Sequence, residues 1–255
     1  MIIFYFSGTG NSKYLAETFA DEMNAQCHSI EEDVDFEALI SENETVAFCY
    51  PIYVSRVPRI MRDFAIRHTD GLKNKNVIIF CTQQYFSGDG ARSFAALFPK
   101  NHINVIYAEH FFMPSNVGNI LLWPMASDKG AERSVLRAKR KMKTVCGDIK
   151  NGKIKKRGFN IISQALGLMQ GAFLSFVEQK ANKHIGITKD CTNCGVCVKI
   201  CPMNNLIQEN GRTAHKHDCT MCYRCVNNCP HKAITAVFHG KVRKQYKGPR
   251  GIMNK

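Results

Sequence analysis

Two stretches of this chain carry residue types whose spacing could do chemistry. The first is C-T-N-C-G-V-C-V-K-I-C-P, in which Cys191, Cys194, Cys197 and Cys201 precede Pro202. It recurs 28 residues later as C-T-M-C-Y-R-C-V-N-N-C-P, with Cys219, Cys222, Cys225 and Cys229 before Pro230. The spacing C-x2-C-x2-C-x3-C-P lets a short loop present three thiolates to one iron–sulfur cluster, while the fourth cysteine turns away to a neighbouring cluster. On that pattern Cys191, Cys194, Cys197 and Cys229 form one [4Fe–4S] ligand set. Cys219, Cys222, Cys225 and Cys201 form the other. Zinc knuckles, which pair two ligand couples across a longer gap, fit poorly. The remaining cysteines, Cys27, Cys49, Cys81 and Cys146, are scattered and read as small buried hydrophobes.

The second stretch is the loop Ser7-Gly8-Thr9-Gly10-Asn11-Ser12, between an apolar run and a helical pattern. A strand, a glycine-containing turn and a helix start make an anion site, because backbone N–H groups converge there. Ser7, Thr9 and Ser12 add hydroxyls, Asn11 an amide, and Gly8 and Gly10 allow close backbone approach. Neither G-x-G-x-x-G nor G-x-x-x-x-G-K-[ST] is present. A hydroxyl-rich loop without a lysine at the motif position suits a terminal monophosphate.

These residues resemble known families. F-Y-F-S-G-T-G-N-S-K-Y-L-A-E is similar to the phosphate loop of flavodoxins, whose cradle holds the phosphate of FMN. The resemblance extends to Tyr50–Pro58 and Thr82–Gly90, the loops that would flank the isoalloxazine ring. It assigns Pro51, Ile52, Tyr53, Val54, Thr82, Gln83, Gln84, Tyr85, Gly88, Asp89 and Gly90 to the cofactor, with Tyr53 and Tyr85 as its aromatic neighbours. Residues 185–238 resemble a bacterial-type two-cluster ferredoxin. The whole chain resembles flavodoxin–ferredoxin fusion proteins, and Met113–Asn116 fits that group. The cofactors so implied are FMN and two [4Fe–4S] clusters, in the manner of an anaerobe's protein.

The elements that must position these groups follow from apolar patterning. Runs at Ile2–Phe6, Gln26–Ile30, Thr45–Cys49, Val77–Cys81 and Ile103–Ala108 read as buried parallel strands. Between and after them Ser12–Met23, Val57–Ala65, Ala91–Phe98 and Ala131–Cys146 read as helices. The expectation is an α/β chain: a flavodoxin-like, doubly wound five-stranded parallel sheet over 1–150, and a C-terminal α+β ferredoxin domain. Residues 151–184 read as a basic linker and an amphipathic helix, whose stripe of Ile162, Leu166, Met169, Phe173 and Phe176 reads first as a core or interdomain face, with docking on a membrane surface or a partner, and then a membrane span, as the alternatives. The tail, 239–255, is basic and aperiodic and reads as mobile.

Charge is unevenly shared. Residues 1–125 hold 9 Lys and Arg against 14 Asp and Glu, and residues 126–255 hold 26 against 7. Anionic cofactors, an acidic partner or a membrane surface would each answer such a basic half, and nucleic acid is the weaker reading. Met1–Phe6 is too short for a signal core, so a cytoplasmic location without a transmembrane span is expected. No acid–base constellation declares a substrate: His102, His110 and His184 stand alone. Arg56 is either a surface charge or a partner of reduced flavin. The leading reading is an electron carrier linking redox protein partners through clusters and flavin. A flavin-dependent reductase acting on a small molecule, under a lid built from 111–127, is the alternative. A redox-sensing binding module, with Arg133, Arg137, Arg140 and Lys141 meeting an acidic partner or nucleic acid, is a further one.

Overall fold

The computed structural model describes residues 1–53, 56–84, 88–119, 125–167, 169, 185–236 and 240–253. Its first half is a parallel sheet built from β1 (Ile2–Tyr5), β2 (Gln26–Ser29), β3 (Thr45–Pro51), β4 (Asn76–Gln83), β5 (Asn104–Phe112) and β6 (Lys155–Lys156), in the order β2-β1-β3-β4-β5-β6. The five expected strands are all there. Helices α1 (Asn11–Met23) and α5 (Asp128–Lys150) cover one face; α2 (Phe36–Ser41), α3 (Arg59–Arg67) and α4 (Gly90–Ala95) cover the other. Alternate strand residues feed the two cores: Ile3 and Tyr5 meet Leu15 and Phe19, whereas Ile2, Phe4 and Phe6 lie on the side of Met61 and Phe64. Burial on both faces makes β1 and most of β3 and β4 continuous apolar runs, whereas the edge strand β2 is Gln-Cys-His-Ser and only partly buried, and β5 buries Glu109 and His110.

The region expected to be linker divides differently. α5 runs on to Lys150, and Lys155–Lys156 joins the edge of β5, pairing Tyr107 with Lys155 and Ala108 with Lys156. Two lysines have little strand propensity; what holds them is β5's open edge and the buried carboxylate of Glu109, which Lys155 meets at 2.7 Å. Lys141 and Arg157 also reach Glu109, at 2.9 and 3.3 Å. Burial raises that carboxyl, but its hydrogen bonds from Lys155 and Lys141 outweigh burial and hold it at about 2. The short α2, capped by Asp35 accepting from the Ala38 N–H, was not foreseen.

Residues 161–167 are helical, but the expected stripe does not enter the core. Ile162 and Met169 are exposed, Leu166 is half-buried, and the fully inward positions are Ser163 and Gly167. Small residues win there because they allow close approach to Gly88 and Asp89. Phe173 and Phe176 lie outside the described residues.

The second half pairs β7 (Ile185–Ile187) antiparallel with β10 (Ile234–Ala236), and β8 (Leu206–Glu209) with β9 (Arg212–His215). Helices α6 (Val196–Lys199) and α7 (Arg224–Asn228) follow the two cysteine loops. The tail is not mobile in form: Val242 and Tyr246 are buried, and α8 (Gly248–Met253) returns to the first domain. Single anchors fix it, so no periodicity announced it. Tyr246 donates its hydroxyl to Asn11 Oδ1 at 2.6 Å, and Arg250 meets Glu17 at 2.9 Å.

Candidate flavin site and cysteine loops

The loop after β1 is held before any ligand arrives. Gly10 adopts φ 98°, a left-handed conformation natural to glycine, and donates its N–H to Ser7 Oγ at 3.0 Å. Ser12 Oγ and Thr82 Oγ1 share a buried 2.8 Å hydrogen bond across two loops. Asn11 donates to the Pro114 carbonyl at 2.9 Å while its own carbonyl takes Tyr246. The first turn of α1 leaves N–H groups without intrahelical acceptors, which is the donor set an anion needs. The tail roofs this cradle: Pro249 stands over Gly10, and Gly248 over the Thr9 carbonyl.

The other expected loops converge at the same sheet edge. Pro51 ends β3, and Ile52 donates its N–H to the Thr82 carbonyl at 2.8 Å. Tyr53 and Arg56 pair backbone to backbone. Gln83 is buried and Gln84 half-buried. Val54 and Tyr85 lie outside the described residues. The Asp89 carboxylate is engaged by Arg92 at 2.5 Å, and Gly90 accepts the Tyr50 hydroxyl at 3.1 Å. The Tyr53 hydroxyl is buried without a hydrogen-bond partner, next to Gly8. Burial first, then the neighbouring Cys222, push that phenol well above its ordinary value. An orphaned donor beside a loop of open N–H groups fits a polar ligand.

His102 is structural, donating its Nε2–H to the Thr69 carbonyl at 2.8 Å and stacking on Phe98. His110 is buried beneath Gly158 and Gly88 with an unpartnered Nε2, and burial lowers its pKa to about 4. His184 lies outside the described residues. Burial also pushes Cys81 up to about 12 and Cys146 to about 11, so both thiols stay protonated.

In the second half the eight cysteines separate into two groups. Cys201, Cys219, Cys222 and Cys225 line one cavity, together with Pro202. Cys191, Cys194, Cys197 and Cys229 line another, together with Pro230. The thiols surround space and do not converge on a point: among the described residues no three His, Cys, Asp or Glu are grouped to hold a single metal ion. Backbone N–H groups aim at sulfur: Asn205 to Cys201 at 3.3 Å, Met221 to Cys219 at 3.2 Å and Ala233 to Cys229 at 3.3 Å. Burial pushes the Cys222 thiol up to about 12 and Cys219 to about 11, so thiolates there need the positive charge that cluster iron supplies.

The chain is matched by a flavodoxin domain model over residues 2–115 and by a 4Fe-4S dicluster domain model over residues 190–234. It is a flavodoxin domain joined to a 4Fe-4S dicluster domain. The flavodoxin domain implies FMN and the dicluster domain implies iron–sulfur clusters, so the chain is an iron–sulfur flavoprotein of electron transfer. No curated protein matches it. Among solved structures, the two-electron reduced flavodoxin of Megasphaera elsdenii is 21% identical, covers 43% of this chain and 85% of its own, and has a TM-score of 0.38. A flavodoxin from the domain Archaea is 15% identical over 58% of this chain and 97% of its own, with a TM-score of 0.38. General stress protein 14 of Treponema denticola, solved with FMN, is 13% identical over 58% and 97%, with a TM-score of 0.42. No helix among the described residues is long and apolar enough to cross a membrane.

The residues that sequence reasoning missed are those that join the two halves. A Cβ on Gly8 would collide with the Cys222 carbonyl oxygen and stand 2.6 Å from the Tyr53 hydroxyl. Arg224, between Cys222 and Cys225, donates to the Ser7 carbonyl at 2.8 Å and the Gly8 carbonyl at 3.3 Å. It also grips both carboxylate oxygens of Glu31 at 2.7 Å. Of residues 111–127, the lid of the reductase reading, 120–124 lie outside the described residues; within the rest Asn116 meets the second domain, donating to the Cys222 carbonyl at 3.3 Å and accepting from Asn227 at 2.8 Å. One signal was available. Arg224 is the cation inside the second cysteine loop, where the first loop has Val196.

Proposed function

We propose that the chain relays electrons within one molecule, from an external one-electron carrier through two [4Fe–4S] clusters to FMN, or in the reverse direction. Cys191, Cys194, Cys197 and Cys229 hold the outer cluster; Cys219, Cys222, Cys225 and Cys201 hold the inner one. Ser7 to Ser12 cradle the FMN phosphate, and Ile52, Tyr53, Thr82 and Gln83 stand at the ring. Bound FMN supplies exchange of one or two electrons, whereas each cluster passes one.

The observation that carries the reading is the seat of Cys222. Its side chain belongs to the first domain's hydrophobic core, and its carbonyl lies over Gly8. By contrast Cys194 is exposed and Cys191 half-exposed, so the outer set is the one a protein donor can approach. This chain's own residues fix distance and environment: Arg224 ties the inner loop to the cradle, and N–H groups on Cys201, Cys219 and Cys229 favour the reduced cluster.

The test is anaerobic reduction of reconstituted holoprotein by a small ferredoxin-type donor, with flavin absorbance and cluster paramagnetic signals followed together. The wild type is expected to show cluster signals before flavin bleaching. Cys194→Ser is expected to slow bleaching while retaining bound FMN. Flavin reduced at the wild-type rate in both Cys194→Ser and Cys222→Ser would sink the relay.

A further inference from the structure

The helical stretch over 161–167 is turned inside out. Ser163 and Gly167 face the body, while Ile161 and Ile162 are 83% and 74% exposed. Met169, 67% exposed, continues that outer face, and Ile154, 70% exposed, protrudes shortly before it. These four are the most exposed large apolar side chains among the described residues, and they fall within one short segment. Helices on soluble domains place isoleucine inward and small polar residues outward. A reversed helix with two protruding isoleucines beside a third marks a contact surface.

The surroundings say what the contact is made with. No Asp or Glu occurs between residues 149 and 177. Lys150, Lys153 and Lys156 are exposed around Ile154. Lys150 and Lys153 lean on the Glu22 carbonyl and on Asp148, yet both keep exposed side chains. Lys155 and Arg157 turn to the buried Glu109, where Lys141 joins them, so three cations meet one carboxylate and leave the edge positive. Arg137 and Arg140, exposed on the same stretch of α5 as Lys141, extend the basic field.

We propose that this edge of the sheet docks reversibly on an anionic lipid surface, with Ile154, Ile161, Ile162 and Met169 entering the headgroup boundary and the lysines meeting lipid phosphate. Interfacial attachment of this kind takes two signals together, apolar insertion and a basic cluster. Lysines on flexible stems act as point charges and need no fixed partner geometry. The isoleucines protrude singly, which suits a soft apolar phase. A second copy related by a two-fold axis would set the same lysines against each other, within a Debye length of about 8 Å at physiological salt. The surface goes beyond the relay and stands or falls without it.

The experiment is flotation of full-length holoprotein with phosphatidylcholine vesicles and with vesicles containing phosphatidylglycerol. Binding is expected to the anionic vesicles only, and is expected to fade as salt is raised. Ile161→Ser/Ile162→Ser is expected to cut partitioning roughly tenfold, at unchanged flavin and cluster absorbance. Lys153→Gln/Lys156→Gln is expected to weaken it and flatten the salt dependence. Ile66→Ser, which alters an exposed isoleucine on α3, is expected to change nothing. Equal binding to both vesicles, binding to neither, or binding that survives both double variants would overturn the proposal. So would a dimer in light scattering that Ile161→Ser/Ile162→Ser dissolves while vesicles bind no protein.

Discussion

The two cysteine loops share a backbone and differ in what they spend it on. In the first, the residue before the second cysteine and the residue after it are Asn193 and Gly195, at φ 53° and 74°. The same places in the second loop are Met221 and Tyr223, at φ 57° and 60°. Asparagine and glycine enter the left-handed region readily; methionine and tyrosine do so at a cost of about 1–2 kcal/mol each. The second loop offsets that cost by burial. Met221 and Tyr223 are both buried, Tyr223 donates to the Ala236 carbonyl at 3.0 Å, and Arg224 reaches into the first domain. The outer loop is therefore turned by its own sequence, and the inner loop is turned by what it docks against.

If docking shapes the inner loop, the largest effect comes from prising it off. Gly8→Ala adds a methyl against the Cys222 carbonyl and is expected to destabilise the molecule by about 1–3 kcal/mol. Thermal scans of holoprotein would read this as a fall of about 2–4 °C per kcal/mol. An unchanged midpoint would mean that the loop moves freely and the comparison fails. Arg224→Gln removes a charge-assisted grip on Glu31, worth about 1.5–3 kcal/mol for hydrogen bonds to charged groups. In a double-mutant cycle Glu31→Gln should recover part of that loss, and additive losses would remove the coupling.

The outer loop should answer to backbone alone. Gly195→Ala is expected to cost about 1 kcal/mol through its positive φ, with no change in FMN affinity measured by fluorescence titration. Tyr223→Phe is expected to cost about 1 kcal/mol for the lost hydrogen bond and to weaken FMN binding as well. Identical behaviour of the two variants toward FMN would erase the distinction.

The smallest effect is one of pH. Arg59 meets Asp218, at the start of the inner loop, at 2.6 Å and holds its carboxyl below the usual carboxylate range. A depressed folded pKa gives stability that is present above the unfolded value, near 3.9, and lost as pH falls through the folded one. Hydrogen exchange of the inner loop should therefore rise on acidification below about pH 4, and Arg59→Gln should remove that pH step. The outer loop's exchange is expected to lack it.

Much of this was legible in the residues. Continuous apolar runs located β1, β3 and β4 because central parallel strands are buried on both faces; the polar edge strand β2 left only a weak run, and the doubled cysteine spacing separated into two cavities. What stayed hidden was longer-range. Lys155–Lys156 joins the sheet for a buried carboxylate on β5, which no local propensity reports. Gly8 looked like a concession to phosphate and is also the place where Cys222 rests. The inverted helix at 161–167 was misread because a stripe of large residues names a face without saying which way it turns. Tyr246, Asn227 and Asn116 each act singly, so they leave no pattern.

The tail that crosses from the second domain to the first has a thermodynamic consequence. Its Tyr246 N–H hangs on Asn227 at 2.6 Å, two residues before Cys229, and its hydroxyl holds Asn11 in the phosphate loop. Order at the cysteines and order at the cradle thus share one strand of chain, and linkage between such sites is reciprocal. Whatever loosens the second domain must lower affinity in the first by the same factor that a ligand in the first returns to the second. A fragment ending at residue 150 would carry the whole cradle and none of its roof.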